Sequence, residues 1–153
     1  MPTIHFSVDT DVPADRFTAA LTDFSDRRPK LWPNLDPARF AVHWTGPASA
    51  EVSEGSSFAG GIWERGTYDW SRSGLIRLEI TQSNAFAPGS SWQWRVSTVD
   101  GRTRIEVTVD RRPASWKGRL LAVPLRLAGA RIFRADLQRT LALLATQDDA
   151  KAR

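Results

Sequence analysis

The residue pair best suited to chemistry lies in the segment from Ile62 to Trp70, where Glu64 and Tyr68 fall on the same two-residue phase. Side chains of an extended strand alternate between its faces, so Ile62, Glu64, Tyr68 and Trp70 share one side. If Ile62 faces inward, the carboxyl and the phenol do too. A carboxyl in apolar surroundings has its pKa raised and can donate or accept a proton, while a tyrosine hydroxyl can hold a ligand oxygen. The other register starts at Gly60 and Gly61: a bulge there shifts the strand by one residue, turning Trp63 inward and Glu64 to solvent.

Other chemistries find little material. The chain has no cysteine, which removes disulfides, thiolate metal ligands and a cysteine nucleophile. His5 and His43 fall on the polar phases of their strands, and no His-Glu-x-x-His pair is present, so no metal site and no cofactor is expected. Gly60-Gly61 lacks the Lys and Ser/Thr that follow a phosphate-binding loop, and there is no Gly-x-Ser-x-Gly elbow.

The elements that must position Glu64 and Tyr68 follow from periodicity. At 153 residues, 41% hydrophobic and 25% charged, the chain suits one domain with a sizeable core, over 1 to 147, followed by a short charged tail, 148 to 153. Ile4, Phe6 and Val8 alternate with polar residues as a half-buried strand. Pro13 then opens a helix with the apolar stripe Phe17, Ala20, Leu21 and Phe24, and 26 to 32 adds a short second one that Pro33 stops. Alternating runs follow at 40 to 45, 57 to 70, 76 to 81, 92 to 97 and 103 to 109, with Glu54-Gly55, 71 to 74 and Asp100-Gly101 read as turns. The pattern predicts about six strands in an antiparallel meander.

The last segment, 115 to 147, is helical. Leu120, Val123, Leu127, Ala130, Phe133, Leu137, Leu141 and Leu144 recur at steps of three and four and mark one face to be buried. Ser115 is its N-cap, Gly118 and Gly129 weaken it locally, and Pro124 should kink or divide it, leaving a firm part from Ala130 to Ala145. From Arg111 to Arg139 eight basic residues face one acid, Asp136. Such a strip, with Trp116, Lys117, Arg119 and Arg126 at its start, is either the solvated face of the helix or a surface for an anionic membrane or an acidic carrier protein; nucleic acid is not expected. The start of the chain alternates apolar and polar residues unlike a secretory signal, and Leu120 to Leu125 is too short to span a bilayer, so a cytoplasmic protein is expected.

One strand, one or two short helices, about six strands and a long helix make an α+β protein in which a curved antiparallel sheet grips the last helix. In this order, the chain resembles the START-like (SRPBCC) superfamily, which includes the polyketide cyclase/dehydrase and lipid-transport families. The residues carrying the likeness are Ile4-His5-Phe6-Ser7-Val8 with Val12-Pro13-Ala14-Asp15-Arg16-Phe17, Glu54-Gly55-Ser56-Ser57-Phe58, Asp100-Gly101-Arg102-Thr103-Arg104-Ile105, and the final helix. The resemblance implies a helix-grip fold with a cavity between sheet and helix for a hydrophobic small molecule, a lipid or a polyketide-like compound. Phe58, Ile62, Glu64, Tyr68, Trp70, Leu78, Trp92, Trp94, Phe133 and Leu137 are then the expected lining. Carriage is one activity it implies; cyclase/dehydrase catalysis is the other, with Glu64, Tyr68 or Arg95 handling protons. The tryptophans Trp63, Trp70, Trp92 and Trp94 could instead fill the interior themselves.

Overall fold

The computed structural model describes residues 3–153; Met1 and Pro2, the start of the expected domain, lie outside it. Strand β1 (Thr3–Thr10) leads through helices α1 (Ala14–Leu21) and α2 (Arg28–Leu31) into six further strands. These are β2 (Ala41–Thr45), β3 (Ser49–Ser56), β4 (Ile62–Arg72), β5 (Leu75–Ser83), β6 (Ser91–Val99) and β7 (Arg102–Asp110), and helix α3 (Trp116–Lys151) closes the chain. The seven strands form one antiparallel sheet in the order β1-β7-β6-β5-β4-β3-β2. Each of β2 to β7 thus pairs with its sequence neighbour, and β1 completes the sheet by pairing with β7, Ile4 opposite Val109 and Phe6 opposite Val107.

The two-residue period decides which face is covered. Ile76, Leu78 and Ile80 in β5 and Ile105, Val107 and Val109 in β7 are buried, whereas Arg77, Glu79 and Glu106 are exposed. Against this face pack Phe17, Ala20 and Leu21 of α1 and Leu137, Leu141 and Leu144 of α3. Helix α2 is tied to α3 by the buried Thr140 hydroxyl, which donates to the Leu31 carbonyl at 2.8 Å.

Two elements, β3 and α3, differ from the sequence reading. Glu54-Gly55 is no turn but part of β3, where Glu54 pairs with Glu64 and Gly55 with Trp63 across β4. The alternation of Ala50 and Val52, both buried, carries Glu54 onto the same inner face. Helix α3 is not divided: it runs unbroken through Pro124 and on past Gln147 to Lys151. Pro124 withholds a donor from the carbonyl of Leu120, but Leu120 is 66% exposed, so water can take that bond.

The expected apolar stripe of α3 is buried only in its second half. Leu120, Val123 and Leu127 face solvent. The first half touches the body through its glycines instead: a Cβ at Gly118 would stand 2.0 Å from the Ala85 carbonyl oxygen, and one at Gly129 would stand 2.5 Å from Ile4 Cδ1. Whatever these glycines cost in helix propensity, they are where α3 approaches the body closely. Ser115 caps the helix as expected, its hydroxyl accepting from the Gly118 amide at 3.3 Å and donating to the Asn84 carbonyl at 2.7 Å.

Candidate functional site

Between the concave sheet and α3 lies a cavity of about 170 Å³. Its register follows from the turn before β4: Gly60 and Gly61 take φ of 77° and 96°, and the strand begins beyond them at Ile62. The bend is therefore spent before the strand starts, and Ile62, Glu64 and Tyr68 all reach the cavity. Leu78, Trp92, Trp94, Phe133 and Leu137 line it too.

The other expected lining residues stand elsewhere. Phe58, in the 3-10 turn Phe58–Gly60, is 68% exposed because that turn carries it away from the sheet face. Trp70 packs on Phe24, ring centres 5.9 Å apart, beyond the end of the cavity. Arg95 lies on the outer phase of β6, exposed and opposite Glu106 of β7, on the side away from the cavity. Nor do the tryptophans fill the interior: Trp63 is 37% exposed and Trp70 is displaced, while Trp92 and Trp94 stack at 5.6 Å and only narrow the space.

Four charged residues that the sequence reading did not place in a cavity meet it: Arg28, Glu54, Arg111 and Asp136. Arg28, 2% exposed, spreads its guanidinium over the Phe24 ring and donates to Glu54 Oε1, to the Leu21 carbonyl at 2.7 Å and to the Tyr68 hydroxyl at 2.9 Å. The hydroxyl in turn donates to Glu54 Oε2 at 2.8 Å. Burial, reinforced by the Glu54 charge, holds the phenol pKa well above its ordinary value, and the Arg28 charge offsets only part of this. Tyr68 is thus a fixed, protonated tie, with both hydroxyl functions in use.

Glu64 is no isolated carboxylate: Arg111, just after β7, donates to it through Nη1. The Arg111 guanidinium lies 4.5 Å from the Phe86 ring centre and 5.1 Å from that of Trp92, and its buried Nε finds no partner among the described residues. Asp136 enters from α3. Its pKa is raised, chiefly by burial, which the Arg139 charge at 3.0 Å opposes. A raised carboxyl does stand in the cavity wall, at Asp136, the one acid in the basic segment 111 to 139.

His5 and His43 are exposed and bond to Thr108 and Ser53, at 3.1 and 2.7 Å. Among the described residues, no group of three or more His, Cys, Asp or Glu stands ready for a metal ion, and no helix is long and apolar enough to cross a membrane.

A sheet closed around a long helix, with a cavity at the grip, is the geometry on which comparison with known proteins turns. The family model described as polyketide cyclase / dehydrase and lipid transport matches residues 1–147. The chain belongs to this family. No curated protein matches it. Among solved structures, the Zhui aromatase/cyclase of Streptomyces sp. R1128 superposes with a TM-score of 0.77 at 18% identity, covering 94% of this chain and 93% of the other. A START superfamily protein from Mycobacterium smegmatis gives 0.64 at 14% identity, over 89% and 98% of the two chains. The di-domain aromatase/cyclase StfQ of the steffimycin biosynthetic pathway gives 0.74 at 13%, over 98% of this chain and 51% of StfQ. At these identities the likeness is one of fold, so the activity of this family member has to be argued from its own cavity.

Proposed function

We propose that the protein binds a compact hydrophobic molecule, polyketide-like or lipid-like, in the cavity between sheet and α3. The observation that carries this reading is the cavity wall itself. Trp92 meets Phe133 edge to face at 4.8 Å, giving an aromatic slot, while the charged groups around it are neutralised in the pairs Arg28–Glu54, Arg111–Glu64 and Arg139–Asp136. Such a wall accepts apolar rings and orients an oxygen without presenting a net charge. About 170 Å³ takes a ligand on the scale of one aromatic ring, and a larger one must displace side chains. A chain without cysteine needs no oxidising compartment, which supports a cytoplasmic site of action.

The test is native mass spectrometry of gently purified protein against its denatured mass. A defined apolar adduct, released on denaturation and lost in a Phe133→Asp variant that stays folded, is the expected result. Absence of any adduct, together with failure to bind an apolar fluorescent probe, overturns the reading.

Asp136 favours a second reading, catalysis of the cyclase/dehydrase type. A carboxyl whose pKa is raised by burial keeps its proton to higher pH, where it can protonate a carbonyl or a departing hydroxyl. Asp136→Asn separates the two readings: a carrier keeps its ligand and its behaviour, whereas an enzyme keeps the ligand and loses turnover on the compound found in the adduct.

A further inference from the structure

We propose that the first half of α3 is a docking surface for anionic lipid membranes. Trp116, Leu120, Val123 and Leu127 recur at steps of four, three and four and so stand on one side of the helix. That side is turned away from the sheet: the four residues are 67%, 66%, 62% and 82% exposed. An apolar row of this kind costs solubility in water and marks a contact surface.

A second apolar residue group lies beside it. The 3-10 turn bearing Phe58, 68% exposed, faces the start of α3, since the Cβ position of Gly60 is 4.0 Å from Lys117 Nζ. Asn84 fixes the two together: its side-chain amide donates to the Gly61 carbonyl at 2.8 Å, and its own carbonyl accepts from Ser115. The aromatic tips of Phe58 and Trp116 are therefore held on a braced part of the molecule.

Charge selects the occupant. Arg119, Arg126, Arg131 and Arg134 on α3 are exposed, and none forms an ion pair among the described residues. Two copies meeting through this face would bring those arginines together, which disfavours self-association. An acidic protein would satisfy the arginines but would have no general need for a row of Trp, Leu, Val and Leu. An anionic bilayer meets both demands, with headgroups taking the guanidinium groups while the apolar row enters the acyl boundary. The proposal is independent of what fills the cavity, because its residues do not line that space.

The test is co-sedimentation of the full chain with vesicles of phosphatidylcholine alone and of phosphatidylcholine mixed with phosphatidylglycerol. Binding to the mixed vesicles only, weakening as salt is raised, is expected. Leu120→Gln with Leu127→Gln should reduce it at least ~10-fold, and Arg119→Gln and Arg126→Gln about 5-fold each, one neutralised charge apiece. All four positions are exposed, and unchanged circular dichroism and melting of each variant will show that the fold is kept. Absence of binding to the mixed vesicles overturns the proposal, as does equal binding to both vesicle types or full binding by the double leucine variant. A dimer in sedimentation velocity that is lost in the leucine variant would assign the face to a second copy and would also overturn it.

Discussion

The Tyr68 hydroxyl and the Glu54 carboxylate meet at 2.8 Å inside the grip, and Arg28 binds both, so β3, β4 and α2 are joined at one buried point. Removing either ion leaves the other charged and cut off from water. Glu54→Leu should lower stability by about 3–5 kcal/mol, because it strands the Arg28 charge. Tyr68→Phe removes one hydroxyl and should cost about 1–3 kcal/mol. The double variant Arg28→Met, Glu54→Leu should be more stable than Glu54→Leu alone, since no uncompensated charge remains. Urea midpoints read these differences; a double variant less stable than the single one would mean that the network contributes more than the charges it neutralises.

Tyr68 is the chain's one tyrosine, so phenolate absorbance reports it alone. Its pKa is raised in the fold, and the native state therefore holds the proton more tightly than the unfolded state. The sign follows: this linkage leaves stability unaffected below the ordinary tyrosine pKa of about 10 and erodes it above. An alkaline titration should show no phenolate near that value and then a steep rise coinciding with loss of the native circular dichroism. A smooth titration at the ordinary pKa in folded protein would contradict the buried arrangement.

Helix α3 approaches the body through two glycines in different ways, and alanine separates them. At Gly118 the new Cβ would meet a backbone oxygen, that of Ala85, which cannot move without disturbing the Ser115–Asn84 brace. Gly118→Ala should destabilise by about 1–3 kcal/mol. At Gly129 the obstacle is Ile4 Cδ1, the free end of a side chain that can rotate, and alanine gains helix propensity of about 1 kcal/mol. Gly129→Ala should therefore lie near neutral. Thermal melting of the two variants measures the contrast, and equal losses would refute it.

The sequence displayed the fold through periods. Strands such as β5 and β7 alternate cleanly, and the helix stripe from Phe133 to Leu144 has one buried side, so the order of elements could be read directly. The site was half legible for the same reason, since Ile62, Glu64 and Tyr68 share a phase once the bend is placed ahead of Ile62. What period alone could not give were partners distant in sequence. Arg28 and Glu54 lie 26 positions apart, as do no two residues that a local pattern relates. A strand pattern running through Ala50 and Val52 would have shown Glu54 inward, but Gly55 reads as a turn because its role, passing close to the Ile62 carbonyl and Arg39, exists only in the folded chain. The exposed half of α3 misled for a further reason: helical spacing of apolar residues marks a face, and in the fold Leu120, Val123 and Leu127 of that face stand in solvent.

On the proposed reading, Trp92 should set the size of ligand that the cavity takes. Its ring stacks on Trp94, meets Phe133 edge to face at 4.8 Å and lies 5.1 Å from the Arg111 guanidinium, so it both narrows the space and supports the Arg111–Glu64 pair. Trp92→Ala should cost about 3 kcal/mol, at the low end for loss of a large aromatic because the residue is only partly buried. The vacated volume joins the existing cavity rather than closing, since the neighbouring strands are fixed by their ladders with β5 and β7. A two-ring apolar fluorescent probe should then bind the variant more tightly than the wild type, while a single-ring ligand should bind it less well. Isothermal titration with the two ligands gives the comparison; tighter binding of the small ligand, or an unchanged preference, would show that some other residue governs size.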